Sequence, residues 1–280
     1  MKKISIVLTS YNRIEYLKRA LASVLGQGHP SLEVVITDDC STDGSWEWIK
    51  KQTNKPNVIG VRQVKNFGFP TRPRNCGVYF STGEIIGFLD EDNEFMPGKV
   101  VSMASLFWPG VDVVYCWSQG IQEGKYVTVP WITQPEEFSP SLLEQNNYID
   151  LSEPMILRST IEKIGCFDEK LSWNEEWDLW RRMVNAGTGF KCVPQMWNLY
   201  SVHRADSRSG RMDIRRAAND RIEVKRRSPQ RYSLKVDAGG RQMSMSTIGQ
   251  FTEQFSEKYQ VAVCRDGSEE TVDVSTVAEK

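Results

Sequence analysis

The chain lacks the features that mark membrane-spanning, disulfide-rich and nucleic-acid-binding proteins. None of its segments approaches the roughly 20 consecutive apolar residues of a transmembrane helix, and its formal net charge of −1 supplies no general attraction to nucleic acids or anionic membranes. Two lysines near the N-terminus are not followed by a long apolar stretch, so we expect no signal peptide. The six cysteines are scattered without a C-x-x-C pair, which predicts free thiols in a reducing, cytoplasmic compartment.

The most informative segment that is present spans residues 84–93, where a short apolar run ends in Asp90, Glu91 and Asp92. The run follows a glycine and predicts a buried strand. Open α/β sheets bind ligands at the carboxyl ends of their strands. Closely spaced carboxylates are stabilised there by Mg²⁺ or Mn²⁺, whose other ligands are phosphates and water. The segment therefore predicts a metal–diphosphate site, and the alternative interpretation is a solvated acidic turn.

Strand and helix patterns alternate through the first half of the 280-residue chain. Runs of apolar and β-branched residues predict strands at 4–8, 33–37, 58–63, 84–89 and 111–117. Helical patterns fill the connections at 14–25, 45–51, 71–81 and 97–107, and Asn12 with Glu15 resembles a capping box. This order predicts an α/β fold with a mainly parallel sheet that helices cover on both faces.

The second half is less regular. Residues 119–150 have the composition of loops with short strands, whereas helices are predicted at 159–165 and 175–186 and a short strand at 190–193. Residues 204–231 hold ten basic and four acidic side chains, which predicts a solvated basic helical segment or, alternatively, a weak contact with an anionic surface. A boundary near Pro229 is expected to separate a main domain, 1–228, from a small C-terminal appendage, 229–280.

A set of motifs in a fixed order resembles glycosyltransferase family 2. The segments that carry the resemblance are 5–13 (SIVLTSYNR), 35–44 (VITDDCSTDG), 74–77 (RNCG), 82–92 (TGEIIGFLDED), 165–169 (GCFDE) and 175–181 (EEWDLWR). The resemblance covers about residues 1–205. It implies the GT-A fold, a nucleotide-diphosphate-sugar donor, a divalent cation and inversion at the anomeric carbon. It also implies a donor half over about 1–118, an acceptor half over about 119–205, and hexosyl or N-acetylhexosaminyl transfer.

Residues that follow the first two strands are expected to bind the nucleotide. Thr9, Tyr11 and Arg13 follow the first strand, where an aromatic face can lie against a base, although Tyr11 could instead pack at a helix start. Asp38 and Asp39 follow the second strand, where a carboxylate can accept the imide N–H of uracil or a ribose hydroxyl. Their structural alternative is capping of the next helix. Asp39 is the preferred reader of the base, and UDP is the expected nucleotide.

The acid cluster and one arginine are expected to handle the diphosphate. Asp92 is the predicted metal ligand, Asp90 is assigned to the ribose or to the metal's surroundings, and Glu91 becomes a ligand if the register differs by one. Arg74 can pair with a carboxylate or with the donor phosphates. His203 falls where the family often has a histidine on the loop that returns to the metal, so it is a second predicted metal ligand, with a structural role as the alternative.

Inverting transfer also needs a base on the acceptor side. The family's motif usually has Glu-Asp, with Asp as the base, whereas this chain has Glu175 and Glu176. Glu176 is the first choice for the base and Asp178 the second, with orientation of the helix or a pair with Arg181 as the alternative roles of Asp178. Three neighbouring tryptophans can stack on sugar rings or belong to the core: Trp173, Trp177 and Trp180.

Two other classes of protein remain open at this point. A sugar-phosphate nucleotidyltransferase would need a Gly-rich basic loop after the first strand, which residues 9–13 do not provide. A non-catalytic nucleotide-sugar-binding module would not need acids at 90, 92 and 176. The acceptor can be a saccharide, a lipid-linked sugar or another hydroxyl compound. Peripheral association with a membrane is compatible with the basic segment.

Overall fold

Strands and helices alternate along the chain in the computed structural model, which describes residues 1–129, 135–202, 214–226 and 260–273. The strands are β1 (Ile4–Ser10), β2 (Leu32–Asp38), β3 (Val58–Gln63), β4 (Ile85–Asp90), β5 (Glu94–Phe95), β6 (Val113–Gln122), β7 (Lys125–Val127), β8 (Pro154–Leu157), β9 (Phe190–Ser201), β10 (Gln260–Arg265) and β11 (Ser268–Asp273). The helices are α1 (Ile14–Leu25), α2 (Ser45–Gln52), α3 (Thr71–Phe80), α4 (Lys99–Ala104), α5 (Pro140–Gln145), α6 (Arg158–Ile164), α7 (Glu175–Asn185) and α8 (Ile214–Arg226).

All the described strands belong to one sheet, whose order is β11-β10-β3-β2-β1-β4-β8-β6-β9-β5, with β7 paired to β6. The α/β class predicted from the sequence is confirmed. The sheet is parallel from β3 through β2 and β1 to β4, where helices connect the strands. Beyond β4 it is mixed, because β8 runs antiparallel to both of its neighbours while β6 and β9 are parallel.

Two strands of the second half extend further than their sequence patterns indicate. β6 reaches Gln122 and turns back into β7 through Glu123 and Gly124, both of which have positive φ. β9 continues to Ser201, beyond the predicted end at residue 193, because its pairing with β6 shifts register next to Pro194 and then resumes. Proline lacks the N–H that a regular ladder needs, so it is tolerated at such an irregularity.

The two faces of β1 enter two separate apolar cores. Ile4, Ile6 and Leu8 pack with residues of α1 and α2, whereas Val7 packs on the opposite face with residues of α3 and α7. This alternation is the two-residue period of a strand that is buried on both sides. No helix in the described ranges is both long enough and apolar enough to cross a bilayer.

The start of α1 differs from the prediction. The capping box expected for Asn12 and Glu15 is wrong, because the N–H of Ile14 donates to Asp43 Oδ2 at 3.0 Å and Glu15 pairs with Lys18. Asn12 has φ of +54° and accepts a hydrogen bond from the Thr42 N–H at 2.7 Å. The loop before α1 is therefore fastened to the loop after β2 by side chains that are distant in sequence.

Residues 260–273 form a hairpin on one edge of the main sheet. β10 pairs antiparallel with β3, and Val261, Val263 and Cys264 are buried. These residues lie within the segment predicted as a C-terminal appendage. The boundary near Pro229 stays a prediction, since residues 227–259 are outside the described ranges.

Gly77 allows α3 to approach β1 closely, and α3 carries Arg74. A Cβ atom on Gly77 would overlap the Val7 side chain. We expect Gly77→Ala to lower the free energy of unfolding by about 1–3 kcal/mol, the usual cost of overpacking a core, measured by urea denaturation. Gly26→Ala is the control, because its Cβ would meet no heavy atom of the described residues closer than 3.3 Å. Equal effects of the two substitutions would contradict this explanation.

Candidate active site

A cavity of about 610 Å³ opens at the carboxyl edge of the parallel strands. Here Ser10 lies beside Asp38, and Thr9 lies beside Asp90, in the register of the sheet. The cavity is lined by Thr9, Ser10, Tyr11, Asn12, Arg13, Asp39, Asn66, Gly68, Phe69, Pro70, Pro73, Arg74, Asp90, Glu91, Asp92 and Trp173. This is the edge at which open α/β sheets bind their ligands.

Most of the residues predicted to bind the donor meet in this cavity. The structure brings together Thr9, Tyr11, Arg13, Asp39, Arg74, Asp90, Glu91 and Asp92. Asp38, Glu176 and Asp178 are described but do not form its lining. His203 lies outside the described residues, so its predicted role as a metal ligand stays a prediction.

Arg74 connects the acid cluster to the start of α7. Its Nη2 donates to both carboxylate oxygens of Asp90, at 2.8 and 3.0 Å, and its Nη1 donates to Glu175 Oε1 at 2.7 Å. Burial opposes the charge of the guanidinium, but Asp90 and Glu175 outweigh it and raise the pKa of Arg74. Asp90 also accepts a hydrogen bond from Thr9 Oγ1 at 3.1 Å. Of the two roles predicted for Arg74, its geometry is that of a carboxylate partner.

Glu91 and Asp92 have different surroundings although they are adjacent. The Glu91 carboxylate accepts the Tyr11 N–H at 2.7 Å, and burial raises the pKa of Glu91 well above its usual range. Asp92 is more exposed and pairs with Arg13 Nη1 at 3.0 Å. Glu91 thus holds the loop that follows β1, while Asp92 presents a carboxylate to the cavity.

The chemistry of these carboxylates fits a cation that the protein holds through few ligands. The described residues contain no group of three or more His, Cys, Asp or Glu side chains arranged for a metal. Mg²⁺, however, commonly takes only one or two carboxylates and completes its shell with water and substrate phosphates. Asp92 meets that requirement, because its carboxylate lines the cavity and already attracts the positive charge of Arg13.

Asp39 lines the cavity beside the loop after β3. It accepts hydrogen bonds from Asn66 Nδ2 at 2.9 Å and from the Phe67 N–H at 3.2 Å, and burial raises the pKa of Asp39 to about 7. Asp38 is fully buried, where it accepts the Ser41 N–H at 3.1 Å and pairs with Arg62 at 3.4 Å. Asp38 therefore supports the loop after β2, and Asp39 is the carboxylate of this pair that reaches the cavity.

The two residues predicted as the base have contrasting environments on α7. Glu176 is half-buried and accepts a hydrogen bond from Asn147 Nδ2 at 3.0 Å. Burial and the charge of Glu175 raise the pKa of Glu176 to about 8, and the Arg74 guanidinium opposes this shift. Asp178 is buried and pairs with Arg182 at 2.7 Å. Residues two apart do not share a helix face, so the two carboxylates point to different surroundings.

The Arg182 guanidinium extends the contact of Asp178 into the protein. Its remaining N–H groups donate to the carbonyl oxygens of Ile164, Gly165 and Cys166. This arrangement fastens α7 to the end of α6. It agrees with the alternative reading of Asp178 as a residue that orients the helix.

The three tryptophans near α7 also divide into two groups. Trp177 and Trp180 are completely buried, and their indole N–H groups donate to the carbonyl oxygens of Leu143 and Ile149. They belong to the core. Trp173 is half-buried and forms part of the cavity wall.

Sequence reasoning missed two residues that lie close to the acids. Burial and the charge of Asp90 raise the pKa of Asp150 to about 6. Burial and the charge of Asp150 raise the pKa of Tyr200. Asp150 follows an irregular loop and Tyr200 lies near the end of β9, and no motif or periodic pattern distinguished either residue. Their proximity to the site arises from the folding of the second half of the chain.

Comparison with curated proteins gives relatives of two kinds. A glucosyltransferase of Escherichia coli, WfaP, whose name gives UDP-glucose as donor and a diphosphoundecaprenol-linked N-acetylglucosamine as acceptor, is 24% identical over 204 residues, which cover 72% of this chain and 78% of WfaP. An uncharacterised glycosyltransferase of Nostoc sp. is 39% identical over 106 residues, which cover 38% of this chain and 33% of that protein. The chain thus matches only a third of the length of this second relative.

Two solved structures are similar in fold. One is residues 1–349 of Staphylococcus aureus TarS in complex with UDP-GlcNAc, with a TM-score of 0.61 and 21% identity, over 73% of this chain and 60% of that one. The other is the mannosyltransferase PcManGT of Pyrobaculum calidifontis in complex with GDP-Man and Mn²⁺, with a TM-score of 0.60 and 18% identity, over 80% and 63%. These likenesses confirm the predicted GT-A fold.

The family resemblance inferred from the ordered motifs is confirmed as well. Residues 5–163 match the model of the family described as "Glycosyl transferase family 2". The matched region extends over more than half of the chain and includes every lining residue of the cavity except Trp173. The cavity at the carboxyl edge of β1, β2 and β4 lies within that matched region. The chain therefore belongs to glycosyl transferase family 2.

Proposed function

We propose that the protein transfers a sugar from a nucleotide-diphosphate donor, with UDP as the expected nucleotide, to a hydroxyl group of an acceptor, with inversion at the anomeric carbon. The observation that carries the proposal is the bridge through Arg74, which fixes the acid cluster of the donor cavity next to the start of α7, where Glu176 lies. The solved structures of similar fold support the choice of donor class, because they contain nucleotide sugars.

The donor binds along the carboxyl edge of the sheet in this proposal. Tyr11, which is 43% exposed in the cavity wall, offers its ring to the nucleotide base. Asp39 accepts a hydrogen bond from the same base. Asp92 would hold a divalent cation beside the diphosphate. When bound, such a cation neutralises charge that develops on the departing nucleotide diphosphate.

Glu176 removes the proton from the acceptor hydroxyl. The carboxylate accepts a hydrogen bond from Asn147, which holds it in place. Its raised pKa lies close to neutral pH, where a general base works best. Asp90 and Glu175 are both paired with Arg74 and keep α7 in place rather than taking the proton themselves.

The acceptor is a saccharide, a lipid-linked sugar or a polymer in this proposal. The name of WfaP includes a lipid diphosphate, and the basic helix α8 exposes Arg215, Arg221, Lys225 and Arg226, which suits an anionic acceptor or a membrane surface. Work at the cytoplasmic face of a membrane, as a peripheral protein, is consistent with these charges.

Release of UDP from UDP-GlcNAc or UDP-glucose, with and without Mn²⁺, tests the proposal. A binding module would release none, and a nucleotidyltransferase would form a nucleotide sugar from a nucleoside triphosphate.

The first prediction from this mechanism concerns Asp92. We expect Asp92→Asn to abolish the Mn²⁺-dependent part of UDP binding, because a neutral amide cannot replace a carboxylate between a cation and a diphosphate. Titration calorimetry with UDP, in the presence of Mn²⁺ or of EDTA, measures the effect. Glu94→Gln is the matched control, since Glu94 pairs with Arg19 and is not a lining residue of the cavity. Unchanged Mn²⁺ dependence in Asp92→Asn would remove Asp92 from the site.

The second prediction concerns the base of the nucleotide. Uracil offers an imide N–H to Asp39, whereas cytosine lacks this donor and purines are larger. We expect UDP to bind most tightly among UDP, dTDP, CDP and GDP, and dTDP to rank second because thymine has the same imide edge. Asp39→Asn should weaken UDP binding about tenfold, the effect of losing one charge-assisted hydrogen bond. Competition binding measures both, and preference for GDP would contradict the prediction.

The third prediction concerns Glu176. We expect Glu176→Gln to preserve UDP affinity and to lower turnover by about 10²-fold or more, because the amide cannot take a proton. Since only the ionised form is a base, kcat/KM of the wild type should rise with pH, with its midpoint near the Glu176 pKa of about 8, and level off at higher pH. Glu176→Gln should lack this rise.

Asp178→Asn separates the two candidate bases. It should chiefly reduce stability, by about 3–5 kcal/mol, because the buried Arg182 loses the charge of its partner. Thermal unfolding and UDP release are measured on the same samples. If Asp178→Asn slows turnover more than Glu176→Gln while the protein stays folded, Asp178 is the base.

A further inference from the structure

Trp173 is the point where the second half of the chain enters the donor cavity. Among the described residues, it alone lines the cavity from beyond residue 92. Its indole is half-buried rather than enclosed, unlike those of Trp177 and Trp180. Its ring lines the same cavity as Arg74 and the acid cluster.

We propose that Trp173 binds a pyranose ring of the acceptor, and that Asp220 of α8 is the positioning residue that holds Trp173 in the cavity wall. The inference rests on the proposed function and deepens it, because it names the class of acceptor as a glycoside with a terminal sugar ring. The C–H groups on one side of a pyranose form an apolar surface that packs on an aromatic face. A flexible linear polyol has no such preformed surface.

The turn that carries Trp173 is held by α8. Asp220 Oδ2 accepts the N–H of Ser172 at 2.9 Å and the N–H of Trp173 at 3.0 Å. The next residue, Asn174, has φ of +59° and donates from Nδ2 to the Ala217 carbonyl oxygen at 3.4 Å. Both contacts come from one face of α8, because residues 217 and 220 are three apart on the helix.

α8 is itself anchored to the body of the protein, so Asp220 is held by packing. Val224 is completely buried in the same apolar cluster as Trp177, and its carbonyl oxygen accepts a hydrogen bond from Arg181. Arg221 donates to Asn146 Oδ1 at 2.7 Å, and the neighbouring Asn147 holds Glu176. The basic helix thereby contacts both segments that surround the proposed base, which gives it a role besides solvation.

The position of Trp173 along the chain favours the acceptor over the donor as its ligand. Trp173 comes three residues before Glu176, at the start of the helix that carries the proposed base. The end of the cavity to which the proposed function assigns the nucleotide is instead formed by residues 9–13, Asp39, Asn66 and 68–70. In an inverting displacement the attacking hydroxyl approaches from the side of the base, opposite the diphosphate. A ring on Trp173 therefore lies on the side from which the acceptor arrives.

Saturation-transfer NMR tests the ligand of Trp173 directly. The probes are methyl β-D-glucoside, methyl N-acetyl-β-D-glucosaminide and ribitol, each added to the protein with UDP and Mn²⁺. We expect transfer to the ring protons of at least one glycoside and little to ribitol. Trp173→Ala should reduce this transfer about fivefold, the effect expected from one aromatic contact. Trp108→Ala is the matched control, because Trp108 is 48% exposed and is not a lining residue of the cavity.

Three results would overturn the inference: no saturation transfer from the wild type to either glycoside, equal transfer in Trp173→Ala, or equal transfer to ribitol. Titration of UDP on the same samples separates the two levels of the argument. If the wild type does not bind UDP, the proposed function and the inference both fail. If UDP binds and Trp173→Ala weakens UDP rather than the glycoside, the proposed function stands and the acceptor role of Trp173 is wrong.

Variants of Asp220 test the positioning role. Asp220→Ala should reduce saturation transfer to the glycoside to the level seen in Trp173→Ala. Asp220→Asn keeps an oxygen acceptor and should retain most of the saturation transfer. Glu223→Ala removes the same charge from an exposed position of α8 and should match the wild type. UDP affinity should stay within about twofold throughout. Wild-type transfer in a folded Asp220→Ala, or equal loss in Asp220→Asn, would show that Asp220 does not position Trp173.

Discussion

The site depends on one buried guanidinium. Arg74 is 4% exposed and lies between Asp90, at the end of β4, and Glu175, at the start of α7. A buried charge is tolerated only when its partners are in place, and removal of one partner leaves the others uncompensated. The carboxyl edge of the parallel strands and the helix that carries Glu176 are therefore held at a fixed separation by a contact between residues 101 positions apart.

A second arginine has a complementary effect on the same cluster. Arg13 pairs with Asp92 and lies 3.8 Å from Glu91, while Glu91 holds the backbone of Tyr11. Three consecutive acids repel one another, but each accepts a hydrogen bond from a different group. Asp90 accepts from Arg74, Glu91 from the backbone of the loop after β1, and Asp92 from Arg13. These contacts offset the repulsion among the three carboxylates.

The donor half of the site could be predicted from the sequence because its signals are local. Each parallel strand is a short apolar run, and a strand's last residues reach the sheet edge whatever the rest of the chain does; Asp39, Asp90 and Asp92 were found in this way. The order of the motifs also pointed to Glu176, whose role as the base stays a prediction. What local patterns could not provide was the orientation of side chains: Asp38 and Asp39 were both assigned to the nucleotide, with Asp39 preferred, and of the two only Asp39 reaches the cavity.

The remaining differences arise from contacts between distant segments. α1 begins with an N–H bonded to Asp43 rather than with a capping box, and Asp150 comes close to Asp90 from a loop 60 residues later. The mixed order of the sheet beyond β4 has the same origin, since β8 enters between β4 and β6. Pro194 also hid the continuation of β9, because a proline predicts the end of a strand unless the pairing partner bulges.

The hairpin of β10 and β11 has a consequence for solubility. Without β10, the N–H and C=O groups of β3 would form an open, apolar edge, and such edges pair with other chains and aggregate. β10 covers β3, and Val261 and Val263 pack against Val61 and Cys76. The outer strand, β11, presents Glu269 and Glu270, charges of the kind that discourage further pairing. The last described strands thus protect the sheet from adding a foreign strand beyond β3.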